Sequence, residues 1–266
     1  SSILNLSGAV SGTGGTFTAN TSTVNYNSGS PQVIASLIYN NLTVSGAAAK
    51  TLAANTTIGG NLTVSSSSTL DLATFTANRT TSGGVLTVAG IMKLGGATGG
   101  QTGSNFPLNF GTVNLSGGTV DYSYAGDQTI FAITYNHLTL SGSGIKTPSA
   151  TFSINGNLSI PNSGTTLDSY IYQITGNASG TFTLGSGASL ILGRLTGGYN
   201  KIDFPTGYTS VSLAPTSNVT FQSAAYQVIP AFNYGNLTLS SVGGSNKVAA
   251  NSFTVTIKST FLPCAE

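Results

Sequence analysis

Three stretches of this chain repeat one pattern without gaps: VNYNSGSPQVIASLIYNNLTVSG from Val24, VDYSYAGDQTIFAITYNHLTLSG from Val120, and VTFQSAAYQVIPAFNYGNLTLSS from Val219. Aligned on Tyr39, Tyr135 and Tyr234, each copy has Gln seven residues earlier (Gln32, Gln128, Gln227) and Ile five earlier (Ile34, Ile130, Ile229). An aromatic stands thirteen earlier (Tyr26, Tyr122, Phe221). The steps between the tyrosines are 96 and 99 residues, so the chain divides into a partial repeat 1–38, full repeats 39–134 and 135–233, and a partial repeat 234–266. A chain of this kind is a stack of like units, each burying its apolar face against the next.

A shorter period runs inside the long one. Apolar-x-apolar triplets recur at Leu42-Thr43-Val44, Leu62-Thr63-Val64, Leu86-Thr87-Val88, Val113-Asn114-Leu115, Leu138-Thr139-Leu140, Leu158-Ser159-Ile160, Leu184, Val211-Ser212-Leu213 and Leu237-Thr238-Leu239. The steps from Leu42 are 20, 24, 29 and 23 residues, and from Leu138 they are 20, 26, 29 and 24. Short strands of period two, set off by Gly, Asn and Ser turns at this spacing, predict the coils of a parallel β-solenoid. Helix signals are missing, since Gly interrupts nearly every window long enough to nucleate one.

The expected architecture is therefore all-β: one continuous solenoid over 1–266 of roughly eleven rungs, in three long repeats. Leu42, Leu62, Leu86, Leu138 and Leu158 are expected inside one parallel sheet, and the three tyrosines on one azimuth four rungs apart. The alternative is a tandem array of immunoglobulin-like sandwiches, whose domain size is close to the long period. No Pro-rich or charged linker separates the repeats, and a sandwich has no use for the short period.

Composition narrows the function. Only 5% of residues are charged, with 8 Lys+Arg against 6 Asp+Glu, where an ordinary soluble domain carries about 25%. The basic residues are scattered singly, without the clustered footprint that nucleic acid requires. No run of about 18 apolar residues predicts a membrane-spanning helix. The single Cys264 has no partner for an internal disulfide, and no role is assigned to it.

Residues able to carry chemistry are few. Asp121 and Asp127 are the carboxylates nearest in sequence, flanking Tyr122, Tyr124 and Gly126. A pair facing each other across a glycosidic bond would be the minimum for sugar hydrolysis, but a stretch that departs from its sister copies more often marks a solvated loop. His137 replaces Asn41 and Asn236 of the other copies, which reads as an outward hydrogen-bonding position. Asp71 and Asp168 both follow Thr-Leu at corresponding places, which reads as a turn or ladder role. Lys50 and Lys146 sit eleven residues after their tyrosines, with Lys247 two further on. The expectation for all three is a lysine snorkelling at the surface. No metal-ligand spacing, phosphate loop or cofactor motif occurs, so no catalytic, cofactor or metal residues are assigned.

The consensus V-x-Y-x5-Q-x-I-x4-Y-N-x-L-T-[VL]-S-G is carried by Val24–Gly46, Val120–Gly142 and Val219–Ser240. It is followed by Lys50-Thr51-Leu52 and Gly59–Val64 in the first copy, and by Lys146 and Gly156–Ile160 in the second. It resembles the repeats of very large bacterial surface proteins, including gliding-associated and filamentous adhesins exported by the type IX route. That resemblance implies an extracellular, cell-surface location and a role in adhesion or fibre building. The chain departs from it in lacking the C-terminal sorting domain. Neither end reads as a cap, so the expected partners are neighbouring repeats or identical subunits stacked end to end, with surface polysaccharide as a further candidate. Two other functions fit parts of the pattern. One is a polysaccharide-binding or polysaccharide-degrading β-helix, disfavoured because such sites cluster Asp, Lys and Arg along a groove. The other is an ice- or crystal-binding surface, suggested by Thr16-Phe17-Thr18, Thr74-Phe75-Thr76, Thr181-Phe182-Thr183 and Thr254-Val255-Thr256. The spacing of those triplets is too wide for adjacent rungs.

Overall fold

In the computed structural model, residues 2–10, 17–193, 204–224, 226–240, 247–249 and 256–263 are described. Cys264 and Glu266 lie outside them, as do Arg194, Lys201 and Asp203. Among the described residues every element is a strand, every strand pairing is parallel, and the stacked strands form a β-solenoid of about 11 turns. Parallel pairing excludes the antiparallel sandwich. No described helix is long and apolar enough to cross a membrane. By its internal contacts the chain divides into two compact units, Ser1–Tyr124 and Ala125–Glu266.

In the first unit the chain visits three sheets in turn. One runs in the order Ile3–Leu6, Thr23–Tyr26, Asn41–Val44, Leu62–Val64, Gly83–Val88, Phe110–Asn114. A second contains Gln32–Ile34, Ala49–Leu52, Thr69–Asp71, Ile91–Leu94 and Thr119–Tyr122, and a third contains Ile38–Tyr39, Thr56–Ile58 and Ala77–Asn78. Period-two alternation decides what goes inside. In Asn41–Val44 the leucine and valine are buried while the asparagine and threonine are half-exposed. Because the strands are in register, like residues stack: Val24, Leu42, Leu62 and Leu86 form one fully buried column, and Tyr26, Val44, Val64 and Val88 another. The expectation of one shared sheet is met by Leu42, Leu62 and Leu86 but not by Leu138 and Leu158, which are inward-facing in a different sheet, the one that contains Gln32–Ile34 and Thr119–Tyr122. Corners need residues that tolerate a left-handed backbone. Gly46 takes φ +79° with its Cα against the carbonyl of Ser28, where any Cβ would collide.

The second unit repeats the scheme. Leu138 and Leu158 pair in a sheet continued by Thr181–Leu184 and Ser210–Leu213. A seven-stranded sheet runs Gln128–Ile130, Gly144–Pro148, Thr165–Asp168, Ser189–Leu192, Asn218–Phe221, Asn236–Leu239, Phe261–Leu262. Aromatic side chains fill the interior near its end, with Phe182 against Phe204, Phe204 against Phe232, and Phe221 against Tyr234 at ring separations of 5.3, 5.0 and 6.5 Å.

One expectation is corrected in this unit. Leu237 does not stack on the Val211–Leu213 triplet that precedes it in the short period. It pairs with Val219, one sheet further round. Leu138 and Leu237 therefore lie in different sheets, as do Gln128 and Gln227. Tyr135 bridges to Ile154, whereas Tyr234 pairs with Ile257 in a separate two-stranded sheet. Counted on these sheets, the 99-residue step is four turns plus the advance from one sheet to the next, so equivalent tyrosines do not share an azimuth. The reason is that Val219-Thr220-Phe221 is itself a rung, only 18 residues before Leu237.

Candidate functional site

The residues that recur in the long repeat converge on one arrangement. Gln32 stands opposite Lys50 on the next rung, Gln128 opposite Lys146, and Gln227 opposite Lys247. Lysine and glutamine thus occupy an inward column, in phase with Ile34 and Leu52 of the same strands. Lys50 and Lys146 are fully buried, which corrects the expectation of surface lysines. A buried amine is tolerated only with partners, and here they are backbone carbonyls. Lys50 Nζ donates to Ser28 O at 2.7 Å and Ala48 O at 2.8 Å. Lys146 Nζ donates to Gly126 O at 2.6 Å and Ser143 O at 2.9 Å. Lys247 Nζ donates to Ser223 O. Desolvation pulls the Lys50 ammonium below the ordinary lysine range.

The glutamine completes the clamp. Gln32 Oε1 accepts the N–H of Ser28 at 3.0 Å, and its Nε2 donates to Leu6 O and Gly8 O at 2.8 and 2.9 Å. In the third copy Gln227 Oε1 accepts the N–H of Ser223 at 3.0 Å, and Nε2 donates to Leu192 O at 3.3 Å. One corner residue, Ser28 or Ser223, is held by its N–H through the glutamine of its own turn and by its C=O through the lysine of the next. Each clamp ties three successive rungs. The isoleucines beside it, Ile34, Ile130 and Ile229, are core.

The tyrosines close the neighbouring corner. Each hydroxyl donates to the carbonyl four residues earlier: Tyr39 to Ala35 at 2.8 Å, Tyr135 to Phe131 at 2.5 Å, Tyr234 to Pro230 at 2.9 Å. Tyr26 and Tyr39 share a hydroxyl–hydroxyl bond of 2.8 Å, with rings 6.3 Å apart and near perpendicular. Burial holds the Tyr39 and Tyr234 hydroxyls well above the ordinary phenol range, with the Tyr26 bond adding to the shift at Tyr39.

The remaining polar candidates also act on backbone. Asp71 Oδ1 accepts the N–H of Ala73 at 2.8 Å and Asp168 Oδ1 that of Tyr170 at 2.9 Å, each stabilising a corner residue with positive φ. Asp127 Oδ1 accepts the N–H of Ile145 at 2.8 Å, one rung on. Asp121 stands in register with Lys93, which is in turn in register with Asp71. Asp121 and Asp127 fall in different units. His137 Nδ1 accepts the N–H of Asn157 at 2.9 Å, the service that Asn41 Oδ1 performs for Asn61 at 2.8 Å and Asn236 Oδ1 for Thr260 at 3.1 Å. Arg79, 9% exposed, donates Nη1 to the carbonyls of Gly59 and Gly60 and lies 5.9 Å from the Phe110 ring. Among the described residues no three His, Cys, Asp or Glu side chains stand together as a metal site.

A second feature is the outer face of the six-stranded sheet in the first unit. Asn5, Asn25, Thr43, Thr63, Thr87 and Asn114 stack in register on consecutive rungs. The Thr43, Thr63 and Thr87 hydroxyls have no hydrogen-bond partner among the described residues, and Asn25 Nδ2 donates to Asn5 Oδ1 at 2.9 Å. Adjacent-rung threonines are thus present, but they come from the Leu-Thr-Val triplets, not from the Thr-Phe-Thr triplets singled out in the sequence.

Comparison of the chain with protein-family models, curated proteins and solved structures finds no match.

Proposed function

We propose that this chain is a structural and adhesive segment of a bacterial cell-surface filament, extracellular, with its rungs continued by neighbouring repeats or by identical subunits, and that it turns over no substrate. The observation that carries this reading is the use made of the recurring polar residues. Gln32 with Lys50, and Gln227 with Lys247, are turned inward to tie one rung to the next, which is how a chain built to be long and stiff would use them. A second observation supports stacking. Leu4 lies in the column of buried Val24 but is 46% exposed, and Phe261 lies in the column of buried Leu237 but is 47% exposed. An additional rung of the same fold would cover each of them and pair the free strand edge. Sedimentation velocity and negative-stain micrographs over a range of concentrations test the reading, with rods lengthening as concentration rises as the expected result. A monodisperse monomer at high concentration, with polysaccharide hydrolysis or lyase activity lost in Asp121→Asn or Asp127→Asn, would overturn it.

A second reading, an ice- or crystal-ordering surface, has one observation in its favour: the Thr43–Thr63–Thr87 column repeats at strand spacing, about 4.8 Å, on an uncharged face. Thr63→Lys would place a charge in the middle of that column, and inhibition of ice recrystallisation by the parent but not by the variant is its test.

A further inference from the structure

Arg79 is a buried cation that the fold leaves without a counter-ion. The other charged residues of the first unit, Lys50, Asp71, Lys93 and Asp121, all lie on strands of the sheet that contains Gln32–Ile34. Arg79 stands apart from them, between Ala77–Asn78 and Gly83–Val88 of the other two sheets. An arginine keeps its charge in a protein, and a buried charge is ordinarily paired. Arg79 is 9% exposed, and its partners among the described residues are all carbonyls. Nη1 donates to Gly59 and Gly60, and Nε donates to Thr81 at 3.2 Å. Nη2 donates to no described residue and is open to solvent.

The loop that follows leaves further donors free. Thr80, Thr81 and Ser82 are exposed, and their backbone N–H groups and hydroxyls have no hydrogen-bond partner among the described residues. The bond from Nε to Thr81 O holds this loop against one side of the guanidinium, and Gly83 and Gly84 lie against the other. A Cβ at Gly83 would stand 3.3 Å from Nη2 and one at Gly84 2.6 Å from Nη1, so the two glycines, with φ of +139° and +57°, bring the backbone close and leave Nη2 uncovered.

Two comparisons within the molecule separate Arg79 from a purely structural cation. Lys50 is fully buried and its amine ends on two carbonyls, whereas Arg79 keeps a spare donor at the surface. The second repeat also builds this corner without a charge. Gly156 and Gly180 stand 96 residues after Gly60 and Gly84, and a Cβ at Gly84 or Gly180 would strike the carbonyl oxygen of Gly60 or Gly156 alike, at 2.2 and 2.1 Å. There Thr175 takes the place of Arg79 in the sequence, and the Tyr208 ring fills the space beside Gly180, its Cε1 3.1 Å from the same Cβ position. The corner folds with a neutral side chain in that space, so folding alone does not account for the arginine.

We propose that Arg79 and the loop 80–82 form an oxyanion-binding site whose ligand is the acidic group of a polysaccharide, a uronate carboxylate or a sulfate ester. One ligand oxygen takes the Nη2 donor in a charge-assisted bond. The others take the N–H groups and hydroxyls of the loop, since successive free backbone N–H groups are a recurrent means of holding an anion. The exposed loop admits a group carried on a polymer, and a neutral sugar would bring no charge to offset the guanidinium. The site lies at one corner of one unit and needs no second copy, so it is independent of the filament reading.

Calorimetric titration of the chain with sodium sulfate, sodium phosphate and an oligogalacturonate, at one ionic strength made up with chloride, tests this. The informative variant is Ser82→Asp, which puts a carboxylate into the exposed loop and supplies the counter-ion from within, leaving the arginine and its carbonyl bonds in place. The expected result is binding of at least one of the three anions by the parent and a loss of about tenfold or more in Ser82→Asp, the scale of one hydrogen bond to a charged group. The thermal midpoint should be unchanged or raised. Ser82→Asn, equal in size and neutral, should bind more tightly than Ser82→Asp. Arg79→Gln should lose binding as well, and if it fails to fold the Ser82 variants decide alone. Oligogalacturonate bound more tightly than either inorganic ion supports the polysaccharide ligand, whereas the reverse order overturns that source in favour of a free ion. No binding of any of the three by the parent, or equal binding by parent and Ser82→Asp, overturns the site itself.

Discussion

Lys50 shows how a chain with so few charges uses one of them. Its column neighbours are Gln32 and Leu70, neither of them charged, so nothing nearby favours the ammonium except the carbonyls of Ser28 and Ala48. Lys50→Met keeps the stem and deletes the donors, leaving two buried carbonyls short of a partner. The expected loss is about 1 to 3 kcal/mol, read as a lower urea midpoint with an unchanged slope. The pH dependence has two signs. Lys50 has a lowered pKa in the folded state, so between that value and the ordinary lysine value of about 10.4 the unfolded chain holds more protons and stability rises with pH. Tyr39, Tyr208 and Tyr234 have raised values, so above the ordinary phenol value of about 10 the folded chain holds more protons and stability falls. Urea midpoints measured from neutral to strongly alkaline pH should climb and then drop, and Lys50→Met should flatten the climb while leaving the drop. Part of this was legible in the sequence, since Lys50 is in phase with Leu52 and alternation puts both inside. What concealed it is that a lysine is ordinarily too costly to bury, and the carbonyls that stabilise it come from corners whose geometry no local pattern reveals.

The strands are where residue pattern and structure agree best. Period-two alternation marks the inward leucines because a half-buried strand has no other way to separate its faces, and Leu62 sits at the centre of a column with Leu42 below and Leu86 above. Leu62→Ala should leave a cavity costing about 2 to 5 kcal/mol, measurable by urea unfolding. A cost under about 1 kcal/mol would mean the rungs close over the gap, which the rigid backbone ladders on both sides oppose. Less legible were the corners. Tyr26 and Tyr39 are part of one written motif but lie on different strands with their hydroxyls touching, so the conserved spacing between them measures a corner and not a strand. The hydroxyl column of Thr43, Thr63 and Thr87 is equally hidden in the sequence, because each threonine stands between two core residues of its triplet and only the register of the strands brings the three together.

At the scale of the whole molecule the long repeat and the solenoid turn are incommensurate. Within the second unit 99 residues carry the chain four turns and one sheet further, so a feature borne once per repeat is presented on a different side in the next copy. An array extended with the same step would return it to its starting sheet after three long repeats. The spacing of the triplets does not show this, because the strand Asn218–Phe221 is a rung that lies inside the long motif and outside the triplet series. Crosslinking tests the order of rungs directly. Thr220 and Thr238 are partners on adjacent strands, about 4.8 Å apart and inside the roughly 4.4 to 6.8 Å range of disulfide-bonded Cα atoms. In a Cys264→Ser background, Thr220→Cys with Thr238→Cys should therefore form an intrachain disulfide under mild oxidation. Thr183→Cys with Ser212→Cys should do the same, because those residues are also partners. Ser212→Cys with Thr238→Cys should not, because the two lie in different sheets. Efficient closure of that last pair, with none between positions 220 and 238, would restore the simple stacking of triplets and remove the advance of one sheet per repeat.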